Sequence, residues 1–576
     1  MPQFIRYRFR RAAILFTLIV LLFSSMPHHV EASAGDLDVT FGVGGKVTTD
    51  FFGNSDEVRG VVLQPDGKLV TVGFVYNTLT QGDFGLARYE KNGTLDTSFG
   101  SGGKVSTDLS QFPTFASSDG ANAVSLQADG KIVVAGSSSF GSARFALARY
   151  GIDGSLDSGF SSGGTVTTSF SRFDAAANGV AIQPDGKIIA VGFTNTSFVG
   201  LAFNPDFALA RYNTDGSLDS TFGVGGKVTT DFNGLGDVAS GVAIQGDGRI
   251  VVVGSSQVTP LAPEVTQFSI ARYNTDGTLD LTFGIGGKVR PFFFGQFDQA
   301  NALALLPDGK IIVAGVVSNF NLLSASDFGM IRLNTDGSTD TTFGSNGKVT
   351  TDFSSEFDSA HAIAIQPNGK IILVGVVSKV GISQNSTDFA IARYNSDGGL
   401  DATFGSAGKV TTDFFGFSNS ANAVVIQQDG RIIAAGRANS GIIGDFAVAR
   451  YNGDGDIFDI CIQDETNPRN FVSLNSHTGD YNFYCGGVSV AAGRGTLNTK
   501  GGIGSIEHVK GDRRVYIEWD TTAQGGKGAG TAILQNPPNN TRCQIIDKDM
   551  TNNNCTASSP VTAPRKRDAS QISVSN

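Results

Sequence analysis

Hydrophobic and polar positions follow a long, regular period along most of this chain. One unit, residues 206–232, reads DFALARYNTDGSLDSTFGVGGKVTTDF. The phenylalanine of its L-D-x-x-F core recurs at intervals of roughly 60 residues, and a fixed period of this length is the signature of a repeat architecture. It falls at Phe41, Phe99, Phe160, Phe222, Phe283, Phe343 and Phe404. The chain is therefore predicted to contain seven copies of one structural unit.

Each unit contains four segments that are typical of β-strands. In the fourth copy the first is K-V-T-T-D-F (residues 227–232), the second spans residues 239–245 and the third, nearly all apolar, residues 250–253. The fourth segment is of the F-A-L-A-R-Y type (residues 207–212). An Asp-Gly pair usually separates the second and third segments, and it predicts a tight hairpin because glycine tolerates positive φ. Its glycines are Gly67, Gly130, Gly186, Gly248, Gly309, Gly369 and Gly430.

The two middle segments predict strands that are covered on both faces, since a sheet with one wet face alternates apolar and polar residues. A four-stranded antiparallel sheet with neighbours on both sides is a propeller blade. Pro291 interrupts the first segment of the fifth copy, which predicts an edge strand because proline cannot donate to a sheet ladder. The predicted fold is all-β, a seven-bladed β-propeller of four-stranded repeats. An open β-solenoid is the alternative, but its coils are usually shorter and parallel.

These motifs resemble a known repeat. The L-D-x-x-F-G, Q-x-D-G-K and A-R-Y-x-x-D-G elements are similar to the delta-60 repeat, a β-propeller repeat of secreted bacterial proteins, over about residues 37–455. The resemblance implies the fold and an extracellular setting, but it brings no catalytic motif or defined ligand. Local departures are Gly159, Ser161, Thr339, Arg290 and Pro291, and none changes the number of copies.

The N-terminal residues 1–34 are predicted to be a secretion signal. Four arginines (Arg6, Arg8, Arg10 and Arg11) precede an apolar run at residues 12–25, and Ala-Ser-Ala at residues 32–34 offers a cleavage site. The apolar run is shorter than the roughly 20 residues that span a bilayer. The protein is therefore expected to be secreted or attached to the cell surface, with no transmembrane segment after cleavage.

The repeat region is predicted to span residues 35–455, and residues 456–558 differ from it in composition. They contain the single tryptophan, Trp519, and all four cysteines of the chain. Segments 471–474 and 481–484 predict a hairpin, and segments 514–519 and 542–546 predict further strands. We expect a small β domain with two disulfides, because exported domains favour disulfides over zinc. The pairing stays open among Cys461, Cys485, Cys543 and Cys555. Residues 559–576 are predicted to be disordered.

Charge and motifs limit the functions that can be expected. The formal net charge of −10 argues against nucleic acid as a partner, because binding to phosphates needs a basic surface. His361 is the only histidine of the repeat region after the signal, and no H-E-x-x-H helix accompanies it. The motifs therefore do not predict an enzyme, although they do not settle the matter. No cofactor is predicted apart from the calcium considered below.

Two charged positions occur in every copy, and we predict that both are structural, because a binding site in an asymmetric pocket uses one or two copies of a residue. The arginines of A-R-Y are Arg88, Arg149, Arg211, Arg272, Arg332, Arg393 and Arg450. The aspartates of L-D-x-x-F are Asp38, Asp96, Asp157, Asp219, Asp280, Asp340 and Asp401.

One face of the propeller is predicted to vary between copies. It carries the connections between segments one and two and between segments three and four, and the latter differ in length at residues 74–82, 193–205, 255–267 and 376–387. A rigid scaffold with variable loops on one face is the usual layout of a binding surface.

Acids recur on the same face. One follows the first segment, at Asp56, Asp119, Asp174, Asp237, Asp298 and Asp358, with Asn419 in the last copy; a second ends the segment at Asp50, Asp108, Asp231, Asp352 and Asp413. Two interpretations stay open. The acids cap turns, or they form an acidic rim that attracts a basic ligand or a cation. Calcium suits such hard oxygen ligands better than a transition metal, and the pairs Asp50 and Asp56, Asp231 and Asp237, and Asp352 and Asp358 are the candidate ligands.

A polar position near the start of the second segment differs between copies. It is Asn122, Asn178, Asn301 and Asn422 in four of them, but Arg59, Ser240 and His361 in the others. We expect these last three to make the ligand face asymmetric. The predicted function is an extracellular binding or adhesion scaffold for an unknown glycan or protein. The alternatives are a propeller hydrolase or lyase acting on a polysaccharide or lactone, and a structural surface-layer protein.

Overall fold

The computed structural model describes residues 33–453 except 110–116, 200–201, 261, 294–296, 319–325, 354–356 and 379–385, and, beyond these, only the backbone of strands between residues 460 and 547. The described residues contain no helix. Among them there is consequently no helix of the length and apolarity needed to cross a membrane. The expected signal and the tail at residues 559–576 lie essentially outside the described residues.

Twenty-eight strands build the repeat region. The first fourteen are β1 (Lys46–Thr49), β2 (Asp56–Leu63), β3 (Leu69–Asn77), β4 (Gln81–Tyr89), β5 (Lys104–Thr107), β6 (Ser117–Leu126), β7 (Ile132–Phe140), β8 (Ser142–Tyr150), β9 (Thr165–Thr168), β10 (Ala175–Ile182), β11 (Ile188–Val199), β12 (Ala202–Tyr212), β13 (Lys227–Thr230) and β14 (Asp237–Ile244). The others are β15 (Ile250–Thr259), β16 (Ala262–Tyr273), β17 (Lys288–Val289), β18 (Gln299–Leu305), β19 (Ile311–Ser318), β20 (Ser326–Leu333), β21 (Lys348–Thr351), β22 (Asp358–Ile365), β23 (Ile371–Ser378), β24 (Thr387–Tyr394), β25 (Lys409–Thr412), β26 (Asn419–Ile426), β27 (Ile432–Asn439) and β28 (Gly444–Tyr451).

These strands form seven antiparallel blades of four strands, as the sequence predicts. Blades 1 to 6 are β2–β5, β6–β9, β10–β13, β14–β17, β18–β21 and β22–β25, and blade 7 joins β26, β27 and β28 to β1. Blades 1 and 2 are linked by a short parallel pairing of β4 with β6. The first strands of successive blades contact each other in a closed circle that ends with β26 against β2. Both the seven-bladed propeller and its closure are therefore present, and the open solenoid is not.

The K-V-T-T segment lies one blade earlier than the sequence suggested. It does not open a blade but forms the outermost, fourth strand of the preceding one, so β13 pairs with β12 through Phe207↔Thr230. The last blade takes its outer strand from the N-terminus, and β1 pairs with β28 through Thr49↔Phe446. The short β17 is likewise at a sheet edge, which confirms the interpretation of Pro291.

The core lies between the blades. The third segments are buried, as Ile250, Val251, Val252 and Val253 show with 0% exposure, because each blade packs its two faces against its neighbours. The seven hairpin glycines all have φ between 77° and 87°, which explains why glycine occupies every copy.

Beyond the propeller, nine strands form two further sheets. The first sheet contains β29 (Ile460–Gln463), β30 (Phe471–Leu474), β31 (Asp480–Cys485) and β32 (Val488–Arg494). The second contains β33 (Thr496–Lys500), β34 (Ile503–Lys510), β35 (Arg513–Asp520), β36 (Gly530–Asn536) and β37 (Thr541–Asp547). The predicted hairpin is the pair β30–β31, and β35 and β37 contain the two further predicted strands.

Candidate functional site

The two faces of the propeller carry different connections. One face carries the Asp-Gly hairpins between the first and second strands of each blade, together with the turns that lead to the outer strands. The other carries the connections between the second and third strands and the links from blade to blade. We call it the hairpin face, after two long β-hairpins among these connections. Two of its variable segments are long β-hairpins rather than loops, because β11 pairs with β12 as far as Val199↔Ala202 and β15 with β16 as far as Thr259↔Ala262.

The repeated arginines and aspartates meet in all seven copies on the face opposite the hairpin face. The Nε of each arginine lies 2.7–2.8 Å from the aspartate Oδ2. In blade 4, Arg272 also lies over the Phe283 ring at 4.4 Å and donates to the Thr335 carbonyl of the next blade at 2.5 Å. The pair of Asp38 and Arg450 joins the two ends of the repeat region. These contacts lie within and between blades, in agreement with a structural role, which stays a prediction.

A β-bulge presents the variable polar position in every blade. The register of the first two strands shifts at Arg59, Asn122, Asn178, Ser240, Asn301, His361 and Asn422. A bulge re-aims a side chain, and here several of them reach the next blade: Asn301 Nδ2 donates to Ala360 O at 2.7 Å. We call these seven side chains the bulge ring. The structure therefore places Arg59, Ser240 and His361 in this ring, three residues further along each strand than the acids.

His361 takes part in the bulge ring through Nδ1. This atom lies 3.0 Å from Ala421 O, and since a carbonyl only accepts, Nδ1 carries the proton of that hydrogen bond. Burial lowers the pKa of His361 from its ordinary value, against the opposing effect of its hydrogen bonds to Ala421 and Asn422. The imidazole is therefore neutral near pH 7, with Nε2 left as an acceptor.

The acids on the hairpin face do cap turns. Asp56 Oδ2 accepts a hydrogen bond from Phe51 N at 2.8 Å, Asp237 Oδ2 accepts one from Phe232 N at 2.8 Å, and Asp358 Oδ2 accepts one from Phe353 N at 2.7 Å. Each of these aspartates opens the first strand of a blade and is at most 1% exposed. Turn capping therefore explains the burial of one oxygen of each of these carboxylates.

The three predicted acid pairs each converge with a third carboxylate. The groups, which we call the carboxylate triads, are Asp50, Asp56 and Asp445; Asp206, Asp231 and Asp237; and Asp327, Asp352 and Asp358. Within each group one ligand atom per residue lies within 4.8 Å of the others. Asp206, Asp327 and Asp445 were not predicted from the sequence. The sequence feature that could have identified them is the aspartate of the D-F pair at the start of the F-A-L-A-R-Y strand. The blade topology brings this aspartate next to the end of the outer strand.

A cavity of about 470 Å³ opens between blades 5 and 6. It is lined by Phe297, Gln299, Asn301, Val316, Phe357, Ser359, His361 and Asn422. Phe357 is 43% exposed, and Phe297 is half-buried. Phe297 and Phe357 precede Asp298 and Asp358, where four other copies have Ser55, Ser118, Gly236 and Ser418 and the third copy has Phe173. Residues that depart from the repeat are therefore concentrated at one pair of blades.

One segment of the repeat region matches a catalytic sequence pattern. Residues 159–163 read G-F-S-S-G and match the G-x-S-x-G pattern of serine hydrolases. They lie in the turn between β8 and β9, and Ser161, at a φ of 46°, stands where the next copy has Gly223. A nucleophile elbow joins a strand to a helix, so this segment is the ordinary turn of the repeat.

The cysteine prediction stays open. Cys461, Cys485 and Cys543 belong to β29, β31 and β37, and their side chains, like the whole of Cys555, lie outside the described residues.

Comparison with known families supports the repeat assignment. A family model described as "Domain of unknown function (DUF5122) beta-propeller" matches the chain at residues 64–99, 127–160, 183–222, 245–283, 306–343, 366–404 and 427–457. These seven matches confirm the seven repeats and their propeller type; the family is the expected one under another name, while the delta-60 label itself stays a resemblance. A search of curated proteins found no relative of this chain.

Several solved structures are similar in fold. A catalytically inactive virginiamycin B lyase from Staphylococcus aureus is 10% identical, with 70% of this chain and 98% of that chain covered and a TM-score of 0.38. The polysaccharide lyase Uly1 is 9% identical, with 74% and 94% covered and a TM-score of 0.39. An α-L-arabinanase from Penicillium chrysogenum is 10% identical, with 73% and 97% covered and a TM-score of 0.33. At such values nothing about function follows from them.

Proposed function

We propose that this chain is an exported binding module that recognises a glycan at the cavity between blades 5 and 6 on its hairpin face. The observation that carries the proposal is the concentration of repeat-breaking residues there. Phe297, Phe357 and His361 differ from the residues of most other copies, and all three line the same cavity. A site for one ligand in a sevenfold repeat needs such a local departure.

The chemistry of the lining favours a sugar. Aromatic rings offer an apolar platform for the C–H faces of a sugar ring, and amides offer donors and acceptors for its hydroxyl groups. Here Phe297 and Phe357 supply the rings, Gln299 supplies an amide, and the neutral His361 leaves Nε2 as an acceptor. The volume of about 470 Å³ lies within the range of roughly 300–1,000 Å³ for small-molecule sites.

The same lining favours binding over hydrolysis. Glycosidases need a pair of carboxyl groups that flank the scissile bond. Among the described residues that line this cavity, His361 is the only titratable side chain. The acids next to the two phenylalanines in sequence, Asp298 and Asp358, are 0% exposed. The described part of the lining therefore offers no pair of carboxyl groups for acid–base catalysis.

A glycan array followed by calorimetry tests the proposal. We expect Phe357→Ala and His361→Asn to weaken binding of the best glycan by about tenfold or more, which corresponds to about 1.4 kcal/mol. Asparagine is the residue of four other copies at the His361 position, so the second variant should fold normally. The matched control is Phe52→Ala, because Phe52 is 44% exposed in the equivalent link between blades 7 and 1. Binding should be unchanged in this control.

Three results would contradict the proposal. They are the absence of any bound glycan, equal loss of binding in Phe52→Ala and Phe357→Ala, and turnover of the bound glycan. Turnover would establish the hydrolase or lyase alternative instead. Capture of a protein without any glycan would indicate a protein ligand.

A further inference from the structure

In one carboxylate triad, that of Asp206, Asp231 and Asp237, turn capping leaves two buried oxygens unexplained. Each strand-opening aspartate uses Oδ2 for a backbone N–H, as Asp237 does with Phe232 N. In the same triad, Oδ1 of Asp237 and Oδ1 of Asp206 have no hydrogen-bond partner in the described part of the chain. Asp237 is 0% exposed and Asp206 is 8% exposed. Buried polar atoms are normally satisfied, so these two oxygens point to a partner other than protein.

The triad is also short of positive charge. Burial, and then the neighbouring carboxylates of Asp231 and Asp206, raise the pKa of Asp237 to about 8, against hydrogen bonding by Phe232 N and attraction by Arg290. Lys288 Nζ donates to the backbone carbonyl of Asp231 at 2.6 Å. At the junction of blades 7 and 1, burial and Asp50 likewise raise the pKa of Asp56 to about 7.

We propose that the triad of Asp206, Asp231 and Asp237 binds one divalent cation of the calcium class. All the ligand atoms are carboxylate oxygens, which suit a hard cation, and neither histidine nor cysteine belongs to the group. Calcium fits better than magnesium because it accepts irregular sets of oxygen ligands, whereas magnesium demands a near-ideal octahedron. This proposal does not depend on the glycan site.

The cation links neighbouring blades. Asp206 is on β12 and Asp231 follows β13, both in blade 3, whereas Asp237 opens blade 4. One ion held by all three therefore fastens the outer strands of one blade to the first strand of the next. A ligand that binds only the folded state stabilises it by mass action, so calcium stabilises the closed propeller.

The other junctions of the same chain act as internal comparisons. Between blades 6 and 7, Asn419 replaces the third acid, and its Nδ2 lies 3.3 Å from Asp388 Oδ1 and 3.0 Å from Asp413 Oδ1. An amide donor thus occupies the place of the cation. Between blades 1 and 2 all three acids are present, as Asp83, Asp108 and Asp119, but Ser106 Oγ donates to Asp83 Oδ2 at 2.7 Å. Between blades 2 and 3, Arg144 and Ser169 occupy the positions of Asp206 and Asp231. Between blades 4 and 5, Gln267 and Phe292 occupy them.

Calorimetric titration of the EDTA-treated full chain with CaCl₂ is the test. We expect one ion per chain at this triad, with a dissociation constant near those of extracellular calcium modules, roughly 10⁻⁴–10⁻³ M. Asp237→Asn should remove this ion together with the calcium-dependent rise in Tm. The variant should fold, since Asn419 occupies the same position in another copy.

The matched control is Asp174→Asn, which removes the acid immediately before the first strand of blade 3, at a junction without a triad. Asp174 Oδ1 accepts a hydrogen bond from Ala143 N at 2.8 Å, so the variant changes a cap and a charge but no proposed cation site. Its calcium stoichiometry should equal that of the parent. The proposal is overturned if the parent shows no heat and no Tm shift at millimolar calcium, or if Asp174→Asn loses as much binding as Asp237→Asn.

Discussion

At the scale of single residues, each repeated aspartate on the face opposite the hairpin face pairs with a buried arginine and with a second, more exposed lysine or arginine. In blade 4, Asp280 Oδ2 lies 2.8 Å from Arg272 Nε and 3.3 Å from Arg249 Nε. The Arg272 side chain is 4% exposed, whereas that of Arg249 is 39% exposed. The same carboxylate thus permits a comparison of a buried with an exposed ion pair.

We expect Arg272→Ala to lower the free energy of unfolding by about 2–4 kcal/mol, because it leaves a buried carboxylate short of a partner and removes the bond to Thr335 and the contact with Phe283. Arg249→Ala should cost about 0–1 kcal/mol, since exposed pairs are screened by solvent. Urea unfolding of both variants measures the difference. Equal losses in the two variants would show that burial does not determine the role of the arginine.

The sequence predicted the acid pairs but not the third member of each triad. Asp50 and Asp56 are six positions apart in the chain, and both flank one link between blades, so their proximity follows from the repeat alone. Asp445 reaches them only because β28 lies beside β1. A contact between the two ends of the repeat region depends on which strand begins each blade, and the local sequence pattern does not contain this information.

At the scale of strands, the periodicity of the sequence could not show which strand begins each blade. A four-stranded repeat can be divided into blades after any of its strands, and the hydrophobic pattern fits each division equally well. The structure shows the division, because β1 pairs with β28 of the last blade and Phe41 fills the core beside Phe446 and Val448. The N-terminal strand therefore closes the ring.

Removal of residues 35–53 should destabilise the propeller by at least about 4 kcal/mol, because it exposes the edge of β28 and deletes Phe41, and loss of a buried phenylalanine alone costs about 3–5 kcal/mol. We also expect association of the truncated chain through the open edge. Moving the same segment to follow residue 455 should restore the Tm, since it recreates the order of the other blades. A truncated chain with the parent Tm would contradict closure by β1.

At the scale of the whole molecule, the fold class could be predicted because the same local rules are repeated in every copy. Strand pattern, hairpin glycines and edge proline all agree with one architecture, and their agreement is stronger evidence than any single segment. The cavity could not be predicted in this way. It depends on Phe297 and Phe357 meeting across two blades, and in the sequence they are only two of 43 phenylalanines.

The seven arginine–aspartate pairs also give the molecule a collective dependence on pH. Burial raises the pKa of Asp219, but hydrogen bonds from Lys187 and Thr221 and the charge of Arg211 outweigh it, so the pKa is lowered overall. The pKa values of the other six aspartates are lowered as well. In each case the unfolded chain binds protons more readily, and the stability that these carboxylates contribute above about pH 4 is lost as the pH falls below it.

We therefore expect the urea midpoint to fall steeply between about pH 4 and pH 2, with a slope that reflects several protons taken up on unfolding. Carboxyls with raised pKa values, such as Asp56 and Asp237, change their protonation mainly above this window and should not mask the effect. Asp219→Asn should lower stability at pH 7 and make the fall below pH 4 shallower. Asp185→Asn is the matched control, because Asp185 is exposed and only 3.9 Å from the same lysine, Lys187; it should retain the parent slope. A midpoint that does not change between pH 5 and pH 2 would mean that the seven pairs contribute no net stability, and the arginines would then have to act through their carbonyl and ring contacts alone.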